Sequence, residues 1–130
     1  MLRTFLRSKI HRATVTQADL NYEGSIMIDQ ELLDAAGLLQ FEKVEIYNVS
    51  NGNRLATYVI PGERGCGVIC LNGAAARMAS PGDLVIICCY REFTDEELES
   101  HRAAIIMVDE SNRITSVDHR GIYSESPATT

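Results

Sequence analysis

A mainly β fold, closed as a barrel or packed as a sandwich, is predicted by three features of this chain. Short runs rich in Val, Ile and Tyr recur along it, turn signals separate them, and no regular alternation of strand with long amphipathic helix occurs. The expected strands cover residues 2–7, 9–16, 24–28, 43–49, 54–60, 66–71, 84–90 and 103–108, with a weak one at 114–117. Between the third and fourth, Asp29 is placed to cap a short helix through Glu31, Leu32, Leu33 and Ala36, and Gly37 to end it in a left-handed conformation. Thr94-Asp95-Glu96-Glu97 reads as a capping box opening a second short helix near residues 95–101. Ser, Pro and Thr dominate the end of the chain, so residues 1–119 are expected to form one domain and residues 120–130 a frayed tail.

Composition bounds the function. A chain of 130 residues, 45% hydrophobic and 23% charged, buries one modest core. The net charge is -6, yet Arg3, Arg7, Lys9 and Arg12 are the only charges in the first 18 residues. A basic start on an acidic body lacks the continuous cationic face that nucleic acid requires. No run approaches the roughly 18 apolar residues of a membrane span, so a soluble, cytoplasmic protein is expected. Cys66 and Cys70 have neither zinc-knuckle nor redox spacing, and Cys88 and Cys89 lie inside an apolar strand, so all four read as small core residues. His11, His101 and His119 make no metal-ligand pattern, and no metal is expected.

Asn51-Gly52 between alternating segments predicts a hairpin that pairs Val49 with Arg54 and Tyr47 with Ala56. Strand parity then puts Arg54 and Tyr58 on one face with Tyr47, while Leu55, Thr57 and Val59 point the other way. Four residues of strand separate Arg54 from Tyr58 by about 13 Å, close enough for two long side chains to converge on a small substrate.

Tyr22-Glu23-Gly24-Ser25 contains a glycine–serine pair, a common turn element when taken alone. Lys9 and His11 precede it, Arg54-Leu55-Ala56-Thr57-Tyr58 follows, and then comes Leu71-Asn72-Gly73-Ala74-Ala75-Ala76. Together, at these intervals, the segments resemble the bacterial aspartate alpha-decarboxylases, self-processing pyruvoyl enzymes that make beta-alanine for pantothenate. The resemblance runs from residue 1 to about residue 90 and fades beyond. It implies a double-psi β-barrel with short helices, a homotetramer with active sites at subunit interfaces, L-aspartate as substrate, and maturation in which a partner protein can assist.

The chemistry explains why such residues are needed. Decarboxylating an amino acid requires an electron sink, and no natural side chain carries a carbonyl. Attack of Ser25 on the Gly24 carbonyl, elimination and hydrolysis would leave a pyruvoyl group in place of Ser25, able to form a Schiff base with the substrate. Gly24, lacking Cβ, tolerates a distorted backbone. The resemblance assigns the oxyanion donor of this processing to Thr57, with Asn72 nearby, and gives His11, Tyr22 and Glu23 proton-handling roles. It makes Tyr58 the proton donor to the carbanion, and a phenol stays protonated at neutral pH. Arg54 offers a planar fork for the substrate's side-chain carboxylate, and Lys9 adds to that field. Thr57, Gly73, Ala74 and Ala75 match a segment set that touches substrate, and Tyr47 stands where many relatives carry tryptophan. Two other readings compete: an unprocessed, non-catalytic barrel that only binds, and a self-cleaving hydrolase that keeps serine as its nucleophile.

Overall fold

The computed structural model describes residues 1–122, and its backbone is predominantly strand. β1 (Leu2–Thr14) is a single strand where two were expected. At the predicted interruption the register against the strand Leu84–Thr94 shifts between Leu6 and Ser8, a bulge that does not break the strand, and a second shift lies between Ile10 and Ala13, inside the expected strand 9–16. β2 (Gln17–Asp19) was not foreseen, being three exposed polar and small residues with no strand signature. There follow β3 (Ser25–Asp29), α1 (Gln30–Ala36), β4 (Lys43–Asn48) and β5 (Arg54–Gly62), then β6 (Ile69–Asn72), a 3-10 helix (Gly73–Met78) and β7 (Leu84–Thr94). α2 (Asp95–Leu98), β8 (Ala103–Val108) and β9 (Ile114–Arg120) complete the described chain. The weak strand at 114–117 therefore extends to Arg120, the first residue assigned to the frayed tail; residues 123–130 lie outside the described part.

The strands hydrogen-bond in the order β2-β6-β3-β5-β4-β7-β1-β8-β9. β1 and β2 are nearly continuous in sequence, so this row returns on itself. At the junction Val15 N–H donates to the Asp83 carbonyl beside β7, and Thr16 N–H donates to Ile69 of β6, both at 2.8 Å. One stretch of chain thus bonds both the β7 side and the β6 side and closes a barrel of β1/β2, β6, β3, β5, β4 and β7, with β8 and β9 outside the ring. Two parallel pairs, β2·β6 and β3·β5, flank the antiparallel β3·β6 ladder. These interlocked crossovers make the fold a double-psi β-barrel, as expected. Ile10, Ile26, Ile28, Ile46, Leu71 and Ile87 fill the interior without solvent contact, and Leu32 and Leu33 of α1 pack against them.

Both predicted caps form. Asp29 accepts the Glu31 N–H at 2.9 Å and Gly37 ends α1 at φ 69°. Thr94 and Glu97 exchange capping-box bonds, but α2 stops at Leu98. The hairpin register differs from the prediction: Tyr47 lies opposite Arg54, and Lys43 opposite Tyr58. The connection is the four residues 49–52, closed by the Asn48 N–H donating to the Asn53 carbonyl at 2.8 Å, and it is centred one residue earlier than expected, with Asn48 Oδ1 accepting from the Ser50 and Asn51 amides. The slip is two residues, so the parity argument survives and Tyr47, Arg54 and Tyr58 do share a face.

The link from α1 to β4 is fastened to β1. Arg7 donates to Glu42 at 2.6 Å and to the Gly37 carbonyl at 2.9 Å, and Glu42 also accepts the Leu39 N–H at 3.0 Å. Burial alone would raise the Glu42 carboxyl; the Leu39 amide, the Cys89 thiol and the Arg7 guanidinium outweigh it and hold the group below its ordinary value of 4.5. A carboxyl depressed on folding stabilises the native state above its unfolded pKa, and that stabilisation disappears as pH falls through the folded one. Glu42→Gln is expected to cost about 1.5–3 kcal/mol at pH 7 by urea unfolding, and the gap from the parent protein should narrow on acidification. A gap independent of pH would show that the charge contributes nothing.

Candidate active site

Burial changes abruptly at the glycine–serine pair. Tyr22, Glu23 and Gly24 are exposed, whereas Ser25 opens β3 with 1% of its surface accessible. The antiparallel ladder sets Ser25 directly opposite Asn72, the last residue of β6. Asn72 Nδ2 donates to Ser25 Oγ at 3.0 Å, and Ser25 Oγ donates to the Glu23 carbonyl at 3.3 Å. The second bond turns the hydroxyl back across its own Gly24–Ser25 peptide.

The next residue explains how the two segments come so close. Gly73 has φ 62°, and a Cβ there would lie 2.7 Å from Gly24 N, 2.8 Å from Gly24 Cα and 2.9 Å from the Tyr22 carbonyl. At Gly24 a Cβ would meet nothing within 4 Å. In the uncleaved chain the steric requirement for glycine therefore falls on Gly73, and Gly24 is free of crowding. Gly73 begins the 3-10 helix in place of the tight turn its sequence suggested; Ala74 is exposed and Ala75 packs into the core.

β5 runs parallel to β3 with Ile26 beside Val59. Continuing that register backwards sets Ser25 level with Tyr58 and Gly24 level with Thr57, both half-buried. Among the described residues no hydrogen bond joins Thr57 or Tyr58 to Ser25. The Tyr58 ring instead meets Phe41 edge-on, with centroids 5.8 Å apart. Phe41 is largely exposed and has φ 74°, an unusual conformation for a bulky residue, with its N–H bonded to the Val59 carbonyl at 2.8 Å.

The remaining predicted residues gather elsewhere on the barrel. Arg54 is stacked over the Tyr47 ring, its guanidinium carbon 4.7 Å from the centroid, so it turns toward β4 and away from Tyr58. The Tyr47 hydroxyl meets the Tyr90 hydroxyl at 2.9 Å and donates to Glu45 at 3.2 Å, at the edge of a hollow of about 460 Å³ lined also by Thr4, Lys43 and Cys88. Lys9 lies opposite Cys88, which lies opposite Glu45, so Lys9 shares this outer face through β7. His11 is two residues further along β1, beside Met107 of β8, with Nδ1 buried and unpartnered among the described residues. Burial, then the charges of Lys9 and Arg12, hold its pKa below the ordinary 6.5, so the ring is neutral at pH 7. Of the predicted set, Tyr22, Gly24, Ser25, Asn72 and Gly73, with Ala74 and Ala75 just beyond, gather where β3 begins and β6 ends, and Thr57 and Tyr58 lie beside them in the middle of β5; Lys9, His11, Tyr47 and Arg54 lie further off on the outward sheet face that Tyr58 shares by parity.

Cys70 is the contact that the sequence reading missed. Assigned only to the core, it donates from its thiol to Asn72 Oδ1 at 3.2 Å. The signal was available in the spacing: residues two apart on β6 share a face.

Over residues 1–115 the chain matches the family described as aspartate decarboxylase. It is 59% identical to the aspartate 1-decarboxylase of Cupriavidus taiwanensis across 90% of this chain and 98% of that protein. With the aspartate 1-decarboxylase of Caldicellulosiruptor saccharolyticus it shares 55% identity over 96% of this chain and 98% of that protein. Among solved structures, the computationally designed protein msDPBB_sym2 aligns with a TM-score of 0.42 and 19% identity over 65% of this chain and 96% of that chain. The barrel assignment stands on the strand pairing described above.

Gly73→Ala should destabilise the protein by about 1–3 kcal/mol, since it combines a left-handed backbone with collisions against backbone atoms. Gly24→Ala should change stability by well under that amount. Denaturant unfolding of the two variants in a Ser25→Ala background checks the contrast, and equal losses would contradict it.

Proposed function

The chain belongs to the aspartate decarboxylase family and is a decarboxylase, and from that premise we propose that it converts L-aspartate to beta-alanine and carbon dioxide with a pyruvoyl group made from its own Ser25. The seat of Ser25 carries this reading: a buried hydroxyl turned back over its own peptide, with an amide donor against it. An ordinary turn serine needs neither feature. The cradle also fits the group, because Gly73 leaves no side chain where the Gly24 segment lies.

Processing follows from bonds within the chain. Ser25 Oγ attacks the Gly24 carbonyl carbon, the C–N bond between the two residues breaks as nitrogen takes a proton, and an ester replaces the amide. Elimination across Cα–Cβ of residue 25 frees the Gly24 carboxylate and leaves dehydroalanine, which water converts to pyruvoyl with release of ammonia. Negative charge develops on the Gly24 oxygen in the first step, and Thr57, level with Gly24, and Asn72, bonded to Ser25, are the donors that can meet it.

The finished ketone supplies the electron sink for loss of carbon dioxide. The other residues bind and protonate. Arg54 holds the side-chain carboxylate of aspartate, since gripping the departing carboxylate would stabilise the ground state and raise the barrier. Lys9 strengthens that field and Tyr47 walls the pocket. Tyr58, level with Ser25, returns a proton to the carbon that has lost carbon dioxide. Gly73, Ala74 and Ala75 contact substrate, while His11, Tyr22 and Glu23 serve proton movement during processing.

Arg54 is stacked on Tyr47 of its own chain and is exposed, and Lys9, His11 and Tyr47 on the same outward face are half-buried. These facts support a homotetramer in which one copy presents this face to the Ser25 end of the next. The product is suited to pantothenate synthesis in the cytoplasm, and a maturation partner would act on the exposed Tyr22–Gly24 loop. No helix among the described residues is long and apolar enough to cross a membrane.

Intact-protein mass spectrometry should find fragments of 24 and 106 residues, the larger beginning with pyruvoyl, and Ser25→Ala should remain whole and inactive. A Ser25→Ala protein that still decarboxylates aspartate would sink the mechanism. Tyr58→Phe separates making the group from using it: cleavage should proceed, while beta-alanine forms on the order of 10²- to 10⁴-fold more slowly. Near-normal turnover by the processed variant would mean that another donor supplies the proton.

A further inference from the structure

Ser25, Asn72 and Cys70 form a directional chain of hydrogen bonds, all three within 5% of complete burial. The Ser25 hydroxyl uses its only proton on the Glu23 carbonyl at 3.3 Å, so its oxygen must accept from Asn72, and the Asn72 NH2 end faces it at 3.0 Å. That orientation leaves Asn72 Oδ1 pointing away, where its partner is the Cys70 thiol at 3.2 Å.

A side-chain amide has two ends of nearly equal shape and opposite polarity, and only its partners decide which end goes where. With Oδ1 toward Ser25, the amide would offer an acceptor to the segment where processing develops negative charge. With Nδ2 there, it offers a donor. We propose that Cys70 is a positioning residue for self-processing: its S–H fixes the Asn72 amide so that the donor end faces the Gly24–Ser25 peptide. Burial, then the Asp19 carboxylate, push the Cys70 thiol above its ordinary value, which keeps it a donor at neutral pH. It needs no reactivity for this, and the other two buried cysteines, Cys88 and Cys89, lie on β7, where the Cys89 thiol donates to Glu42.

This inference rests on the processing reading above and deepens it, and three variants test it. Cys70→Ser keeps a donor, Cys70→Val fills the site without one, and Cys70→Ala removes both donor and volume. Freshly purified chains are followed by intact mass for the rate of cleavage between Gly24 and Ser25. The serine variant should cleave within about twofold of the parent, and the valine and alanine variants roughly two- to tenfold more slowly, the worth of one neutral hydrogen bond. In a Ser25→Ala background, NMR should show the Asn72 side-chain amide resonances displaced by Cys70→Val and restored by Cys70→Ser. Parent-like cleavage by the valine variant, or serine and valine variants equally slow, overturns the proposal. Unmoved Asn72 resonances do the same. A parent chain that never cleaves would instead refute the processing reading, while the Asn72 resonances would still report whether Cys70 sets the amide.

Discussion

The antiparallel ladder between β3 and β6 is the constraint on which the candidate site depends. It places Ser25 opposite Asn72, and everything chemical follows from that juxtaposition. The two strands belong to distant parts of the chain, and barrel closure at Val15–Thr16 fixes β6 against β2 on its other side. With β6 held on both edges, its end cannot slide relative to Ser25. A one-residue slip would turn Asn72 to the opposite face and put the next residue where Gly73 now passes the backbone of Gly24.

Two residues with left-handed backbone border the same centre. Gly73 and Phe41 both adopt positive φ, one bordering the Gly24 peptide and the other touching Tyr58. A phenylalanine in that region persists only where its surroundings over-determine it. They do here: the Phe41 N–H is bonded to Val59, the Val59 N–H is bonded to Glu42, and Glu42 is held by Arg7 and Leu39. The ion pair that fastens α1 to β1 thereby also sets the loop packed on the proposed proton donor. Stability of the barrel and geometry of the site are linked through one carboxylate.

Much of this was legible in residue order because it rests on local rules. Alternating apolar positions marked β4 and β5, a continuous apolar run marked β7, Asp29 and Gly37 marked the ends of α1, and Thr94 with Glu97 marked the start of α2. Strand parity correctly grouped Tyr47, Arg54 and Tyr58, even though the pairing is offset by two residues, because an even slip leaves every side chain on its own face. The failures also have local causes. β2 has no apolar pattern of its own and exists only because β6 offers it a parallel edge, and β1 continues through its predicted break because a bulge absorbs the extra residue.

By itself the sequence determined the class of fold, the glycine–serine pair and its companion motifs, since each depends on residue type and short spacing. Tertiary structure alone decided which companions meet. It set Asn72 and Gly73 against Ser25, moved the demand for glycine from residue 24 to residue 73, turned Arg54 onto Tyr47, and gave Cys70 a partner. Contacts between residues 47 positions apart, as at Ser25 and Asn72, arise from strand order and barrel closure. No local propensity encodes them, because the backbone hydrogen bonds that create such neighbours are the same for every residue type.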